Sequence, residues 1–135
     1  MTIRYMKYAR TLEGLHEIKN NRQLTKVLEA GGFKINPAKT AWCAAYVNTV
    51  LNYVGIKGTG KLTARSFLKL GKTVKTPKYG DIVVFKRGKL PWQGHVAFFI
   101  DKTPNGSYVC LGGNQANQVC ERIYSSHTLL GIRRV

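Results

Sequence analysis

Apolar residues recur at helical spacing through the first half of the chain and at strand spacing through the second. Leu12, Leu15 and Ile18 predict a first short helix. Leu24, Val27 and Leu28 predict a second, opened by Asn21 and closed by Gly31 and Gly32. A wider apolar face follows at Cys43, Ala44, Val47, Val50, Leu51 and Val54, with Gly55 suited to the left-handed position that ends a helix. Thr40 is the expected N-cap of this third helix, and Pro37 lies just upstream, where a helix has not yet begun. A short helix over 63–70 stops at Gly71. From Pro77 the texture changes. β-Branched and aromatic runs at 81–85, 95–100, 107–111, 119–124 and 129–134 predict strands, separated by turns at 77–80, 88–94 and 101–106 and a turn-like break at 112–115. Helices first and antiparallel strands afterwards is an α+β pattern.

Cys43 therefore falls in the first turn of a core helix, where free N–H groups and the positive end of the helix dipole favour a thiolate. A small apolar core residue would occupy the same place, so position alone leaves both readings open. His95 opens a strand directly after Gly94, which leaves room for close approach. A cysteine nucleophile needs an imidazole within hydrogen-bond reach and a third group to orient it. Asn114, in the break at 112–115, is the candidate for that third role; its alternative is a turn residue tolerant of a left-handed backbone. His16 and His127 show no partner pattern and read as ordinary surface residues.

At 135 residues the chain is read as one catalytic domain spanning 1–135, with a helical part at about 10–71 and a sheet part at about 80–135. No apolar run is long enough for a membrane span, and no signal peptide is evident. Synthesis in the cytoplasm is the expectation. Three cysteines leave at least one unpaired; Cys110 and Cys120 could face each other across a hairpin, although a reducing compartment favours free thiols. With no CxxC pair and scattered histidines, neither a metal site nor a cofactor is expected. The stretch from Gly55 to Leu62 nearly matches a phosphate-binding loop, but Leu62 lacks the hydroxyl for Mg²⁺ and a helix, not a strand, precedes it. Charge is the strongest bulk signal. Lys and Arg number 22 against 6 Asp and Glu, a net +16. Such a surface seeks polyanions, whether nucleic acid, anionic lipid or cell wall, and being spread along the chain it names no partner.

Several ordered motifs carry a resemblance. Ala41-Trp42-Cys43-Ala44-Ala45-Tyr46, Ala64-Arg65-Ser66-Phe67-Leu68, Gly80-Asp81-Ile82-Val83-Val84, Trp92-Gln93-Gly94-His95-Val96 and Leu111-Gly112-Gly113-Asn114-Gln115 resemble the CHAP and NlpC-type cysteine peptidases and amidases of peptidoglycan, closest to small phage lysins. The resemblance implies a papain-like α+β fold with N-terminal helices packed on a C-terminal antiparallel sheet. It implies Cys43 as nucleophile, His95 as general base and acid, Asn114 as orienting residue and Asp81 as a structural acid. Two departures stand out: Gly112 holds the place where many CHAP domains carry Glu, and Trp42 the place where many carry Gln. No oxyanion-hole side chain is evident; the Cys43 N–H is one candidate, Gln115 another, and Trp92 and Trp42 are candidates for the cleft.

The expected function is a peptidoglycan hydrolase that cuts an amide in or next to the stem peptide and lyses bacteria. It would work as a monomer without a separate wall-binding domain, held on the anionic envelope by its basic charge, and reach the wall once the membrane is breached. A secreted amidase effector has the same chemistry. The rival from another class is a basic polyanion- or nucleic-acid-binding domain with a vestigial site, against which stands the absence of any nucleic-acid-binding motif.

Overall fold

The computed structural model describes residues 3–135. Three α-helices, α1 (Arg4–Thr11), α2 (Asn21–Ala30) and α3 (Cys43–Tyr53), precede a 3₁₀ helix at Ala64–Lys69. Six strands follow: β1 (Lys72–Thr73), β2 (Ile82–Lys86), β3 (Gly94–Lys102), β4 (Tyr108–Gln115), β5 (Gln118–Tyr124) and β6 (Leu129–Arg134). They form one antiparallel sheet in the order β1-β6-β2-β3-β4-β5. This is the expected α+β, papain-like arrangement. No helix among the described residues is long and apolar enough to cross a membrane.

α3 is the axis of the molecule. Every residue from Cys43 to Leu51 is buried, as a helix covered on all sides requires. One side meets α1 and α2, the other β3 and β4. The main core joins Tyr5, Leu24, Tyr46 and Val47 to Val96, Phe98 and Leu111. A second core on the opposite face of the sheet gathers Val83, Phe85, Ala97, Phe99 and Cys110. With both faces of β2 and β3 buried, these strands read as continuous apolar runs rather than alternating ones.

The first helix differs from expectation. It lies at Arg4–Thr11, and its basic residues masked an apolar face of Tyr5, Met6 and Ala9. The segment around 12–18 is not helical. Gly14 (φ +92°) breaks the chain direction, and the backbone then runs along β5, with Gly14 N–H donating to Val119 O (2.8 Å) and Val119 N–H to Leu15 O (3.0 Å). The break expected at 112–115 is an irregularity within a strand rather than a turn, since β4 runs on to Gln115 with a register shift between Gly112 and Gln115.

Asp81 ties the two ends of the chain together. Arg134 grips its carboxylate through Nε (2.8 Å) and Nη2 (2.7 Å), and Lys78 N–H donates to the same group (2.8 Å). The Tyr5 hydroxyl donates to the neighbouring Gly80 carbonyl (2.6 Å). The loop that resembles a phosphate cradle is filled from within. Asn48 accepts from Thr59 N–H (2.7 Å) and donates to Lys61 O (3.0 Å), and a Cβ at Gly58 would fall 2.0 Å from Asn48 Oδ1.

Candidate active site

Cys43 is the first residue of α3. The cap is Trp42, not Thr40, and its side chain makes no capping bond, so the N–H groups of the first turn are left without a side-chain acceptor. The sulfur lies against the start of β3. The Val96 backbone N–H, the charge of Arg87 and the N–H groups of Ala44 and Cys43 itself all favour the thiolate, yet burial outweighs them and pushes the thiol pKa up. At rest Cys43 is a neutral thiol.

The strand that meets it is open at this end. β3 pairs with β4 only from Phe98 onward, opposite Leu111, so residues 94–97 pair with β2 alone. The N-terminus of α3 takes the vacated place beside Val96. His95 is the adjacent residue and is buried to 2% exposure. Its ring packs on Tyr124, with centroids 5.0 Å apart. The Cys43 thiol thus meets the backbone of Val96, the residue that follows His95, and the thiol and the His95 ring are not hydrogen-bonded to each other.

One contact fixes the protonation of His95. Gln115 donates through Nε2 to the carbonyls of Cys120 (2.7 Å) and Cys110 (3.3 Å). Carbonyls only accept, so the amide has one orientation, and its Oε1 is the atom turned to His95 Nε2 at 2.8 Å. An amide oxygen only accepts as well. The imidazole must therefore carry its hydrogen on Nε2, which leaves the basic lone pair on Nδ1. That nitrogen is buried and has no hydrogen-bond partner. Burial pushes the His95 pKa from its ordinary 6.5 down to about 4; the Gln115 bond opposes the shift and the Arg87 charge adds to it. The resting site thus holds a neutral thiol and a neutral imidazole whose one free basic atom is Nδ1.

The orienting contact expected from Asn114 is made instead by its neighbour. Asn114 adopts a left-handed backbone (φ +59°), as do Ala116 and Asn117 (φ +50° and +64°), and the three build the turn into β5. The irregular register there swings the Gln115 side chain back over Gly112. A Cβ at Gly112 would lie 2.4 Å from Gln115 Oε1 and 2.9 Å from Ala97 Cβ, so the missing side chain is what admits the amide. Gln115 is accordingly engaged with His95 and is not free to serve an oxyanion. Trp42 is fully buried, bonds Glu17 through Nε1 (3.0 Å) and packs under Gly113, whose Cβ would come within 2.6 Å of the indole. It is a core residue and does not line the cleft. Trp92 is 64% exposed and does line it. With Ala41, Leu62, Thr63 and Arg87 it bounds a hollow of about 290 Å³ that opens onto Cys43.

Cys110 and Cys120 are free thiols; Cys110 faces Arg122 and Cys120 faces Gly112, two positions out of step. Among the described residues no three His, Cys, Asp or Glu side chains cluster as metal ligands.

A family model for the CHAP domain matches residues 35–114, more than half of the chain. This chain belongs to the CHAP family. No curated protein matches it. CHAP domains are typically amidase- and peptidase-type hydrolases associated with peptidoglycan, and the match takes in Cys43, His95 and Asn114 but ends one residue before Gln115. In this CHAP domain the space at Gly112 is filled by the Gln115 amide. The Val96 N–H and Arg87 were not foreseen from sequence, since a backbone donor and a loop cation leave no motif.

Two expectations follow. Between about pH 6.5 and 4 the unfolded chain protonates His95 while the folded chain does not. Stability should therefore fall as pH drops through this window, and His95→Gln should flatten that part of the slope in urea midpoints. Gly112→Ala should push the amide off His95 and lower kcat/KM by roughly tenfold to a hundredfold, a misplacement effect, and because its Cβ also meets Ala97 Cβ it should lower the urea midpoint as well. An unchanged kcat/KM would show that the Gln115 contact is dispensable.

Proposed function

We propose that this CHAP domain is a peptidoglycan hydrolase of the phage-lysin type, cutting an amide bond in or next to the stem peptide and so lysing the cell. The observation that carries the reading is the juxtaposition of Cys43, at the uncapped start of α3, with a neutral His95 whose only free nitrogen is Nδ1.

In the mechanism we infer, a substrate carbonyl enters the hollow beside Trp92. The resting thiol and ring close to hydrogen-bond distance as substrate binds, as catalytic contacts often do. Cys43 Sγ attacks the carbonyl carbon and His95 Nδ1 takes the thiol proton. The new imidazolium stays bonded to Gln115 Oε1 through Nε2. The oxyanion falls to the Cys43 N–H at the positive end of α3. His95 then gives its proton from Nδ1 to the leaving amine, and the C–N bond breaks. Water attacks the resulting thioester, losing a proton to His95. The carboxylate product leaves and the thiol is restored.

The charge fits an anionic target. Of the six acids, Glu13 and Glu121 pair with Arg10, Asp81 pairs with Arg134 and Glu17 bonds Trp42. Most of the 22 cations therefore have no acidic partner within the chain and are free to hold the enzyme on a polyanionic wall.

Purified diaminopimelate-type peptidoglycan digested with wild type should release fragments with new amine and carboxyl termini, read by mass spectrometry, and Cys43→Ala should release none. Equal release by both proteins would remove Cys43 from the role of nucleophile.

A further inference from the structure

Beside the Cys43 hollow, and sharing Thr63 with it, lies a second hollow of about 380 Å³ lined by Lys61, Arg65 and Lys69. Arg65 stands on the partition between the two. Its Nε donates to Gln93 O (2.7 Å), and Gln93 and Gly94 belong to the wall of the Cys43 hollow. A Cβ on Gly94 would come 3.2 Å from Arg65 Cγ, so the arginine stem lies close along β3 just before His95.

The polar groups of the second hollow are unevenly committed. Ser66 Oγ donates to Thr63 O (2.6 Å) and lies 2.9 Å from Thr59 Oγ1, which in turn accepts from Asn48 Nδ2 (3.2 Å) and Lys61 N–H (3.2 Å). These hydroxyls are spent on holding the loop rigid. The donors left over are cationic. With Nε bound to Gln93 O, the two terminal nitrogens of Arg65 make no hydrogen bond to any described residue, and they present the paired end of the guanidinium fork. None of the residues lining the hollow is acidic, and Lys61, Arg65 and Lys69 form no ion pair with a described residue. Three cations therefore converge on one rigid hollow with no counter-charge from the chain.

We propose that this hollow is a subsite for a carboxylate of the substrate, gripped end-on by Nη1 and Nη2 of Arg65, with Lys61 and Lys69 adding longer-range attraction. This deepens the hydrolase reading and rests on it: the scissile amide lies over Cys43 and a free carboxylate of the same peptide reaches across Thr63. A planar carboxylate matches a guanidinium fork in both shape and charge. Wall peptides whose carboxylates are amidated lack that charge and are the poorer ligands. Arg65 is thus a specificity-determining residue.

The test uses the full chain carrying Cys43→Ala, so that ligand is not consumed. Calorimetry compares a soluble muropeptide with free stem-peptide carboxylates, its amidated counterpart, and inorganic phosphate. The free form should bind roughly tenfold more tightly than the amidated form. Adding Arg65→Gln should bring the two affinities together, and Arg65→Lys, which keeps the charge but not the fork, should restore only part of the preference. Equal binding of both muropeptides, a preference that survives Arg65→Gln, or phosphate competing as strongly as the free muropeptide would each overturn the subsite. Hydrolysis of the same two muropeptides by the unaltered enzyme is measured alongside. Cleavage of neither, with the binding preference intact, would count against the hydrolase reading and leave the subsite standing.

Discussion

The site depends on the Gln115 amide. Two backbone carbonyls, of Cys110 and Cys120, take its N–H groups, and that leaves its oxygen a single direction. Everything about His95 follows: which nitrogen carries hydrogen, which nitrogen is basic, and where the ring sits against Tyr124. A carboxylate in the same position would also accept from Nε2, but it would raise the histidine pKa by its charge. A neutral amide orients the ring without charging it. That distinction matters at a site buried this deeply, because in the proposed mechanism the imidazolium would form beside the thiolate it creates.

Burial and the helix dipole act on Cys43 in opposite senses, and burial wins. The Val96 N–H, the Arg87 charge and the first-turn N–H groups all favour a thiolate, yet the thiol pKa remains raised while that of His95 is lowered. A pre-formed ion pair is therefore not the resting state. In the mechanism proposed above, the same donors are already in place for the negative charge that moves from sulfur to the carbonyl oxygen, and need no reorganisation. On this view the site is arranged for the charge that develops during reaction rather than for the charge at rest.

Much of this was legible in the sequence. The 3.6-residue spacing from Cys43 to Val54 marked α3, and the runs at 81–85 and 95–100 marked β2 and β3, because buried central elements are dense in apolar residues. Cys43 and His95 were singled out by their places at the starts of those elements, but position left a plain core residue equally open, and the roles assigned to them came from the ordered motifs around them. The α1 helix was missed because Arg4, Lys7 and Arg10 interrupt a face built largely of Tyr5, Met6 and Ala9. The N-cap was set two residues early, at Thr40 rather than Trp42, since an uncapped start leaves no capping residue to read; with it Trp42 was assigned to the cleft instead of the core. Gln115 was the subtler case. Strand alternation cannot say which of two adjacent residues faces inward when the register is irregular and Asn114 is left-handed. The sequence signal was present in Gly112, whose missing side chain opens the space the amide fills.

The most direct measurement is the ¹⁵N–¹H correlation spectrum of the His95 ring at neutral pH, assigned by comparison with His95→Gln. The ring should be neutral and protonated on Nε2, with the Nδ1 resonance at the position of an unprotonated nitrogen, and the same state should persist well below pH 6.5. A ring protonated on Nδ1, or an imidazolium at pH 7, would contradict this assignment.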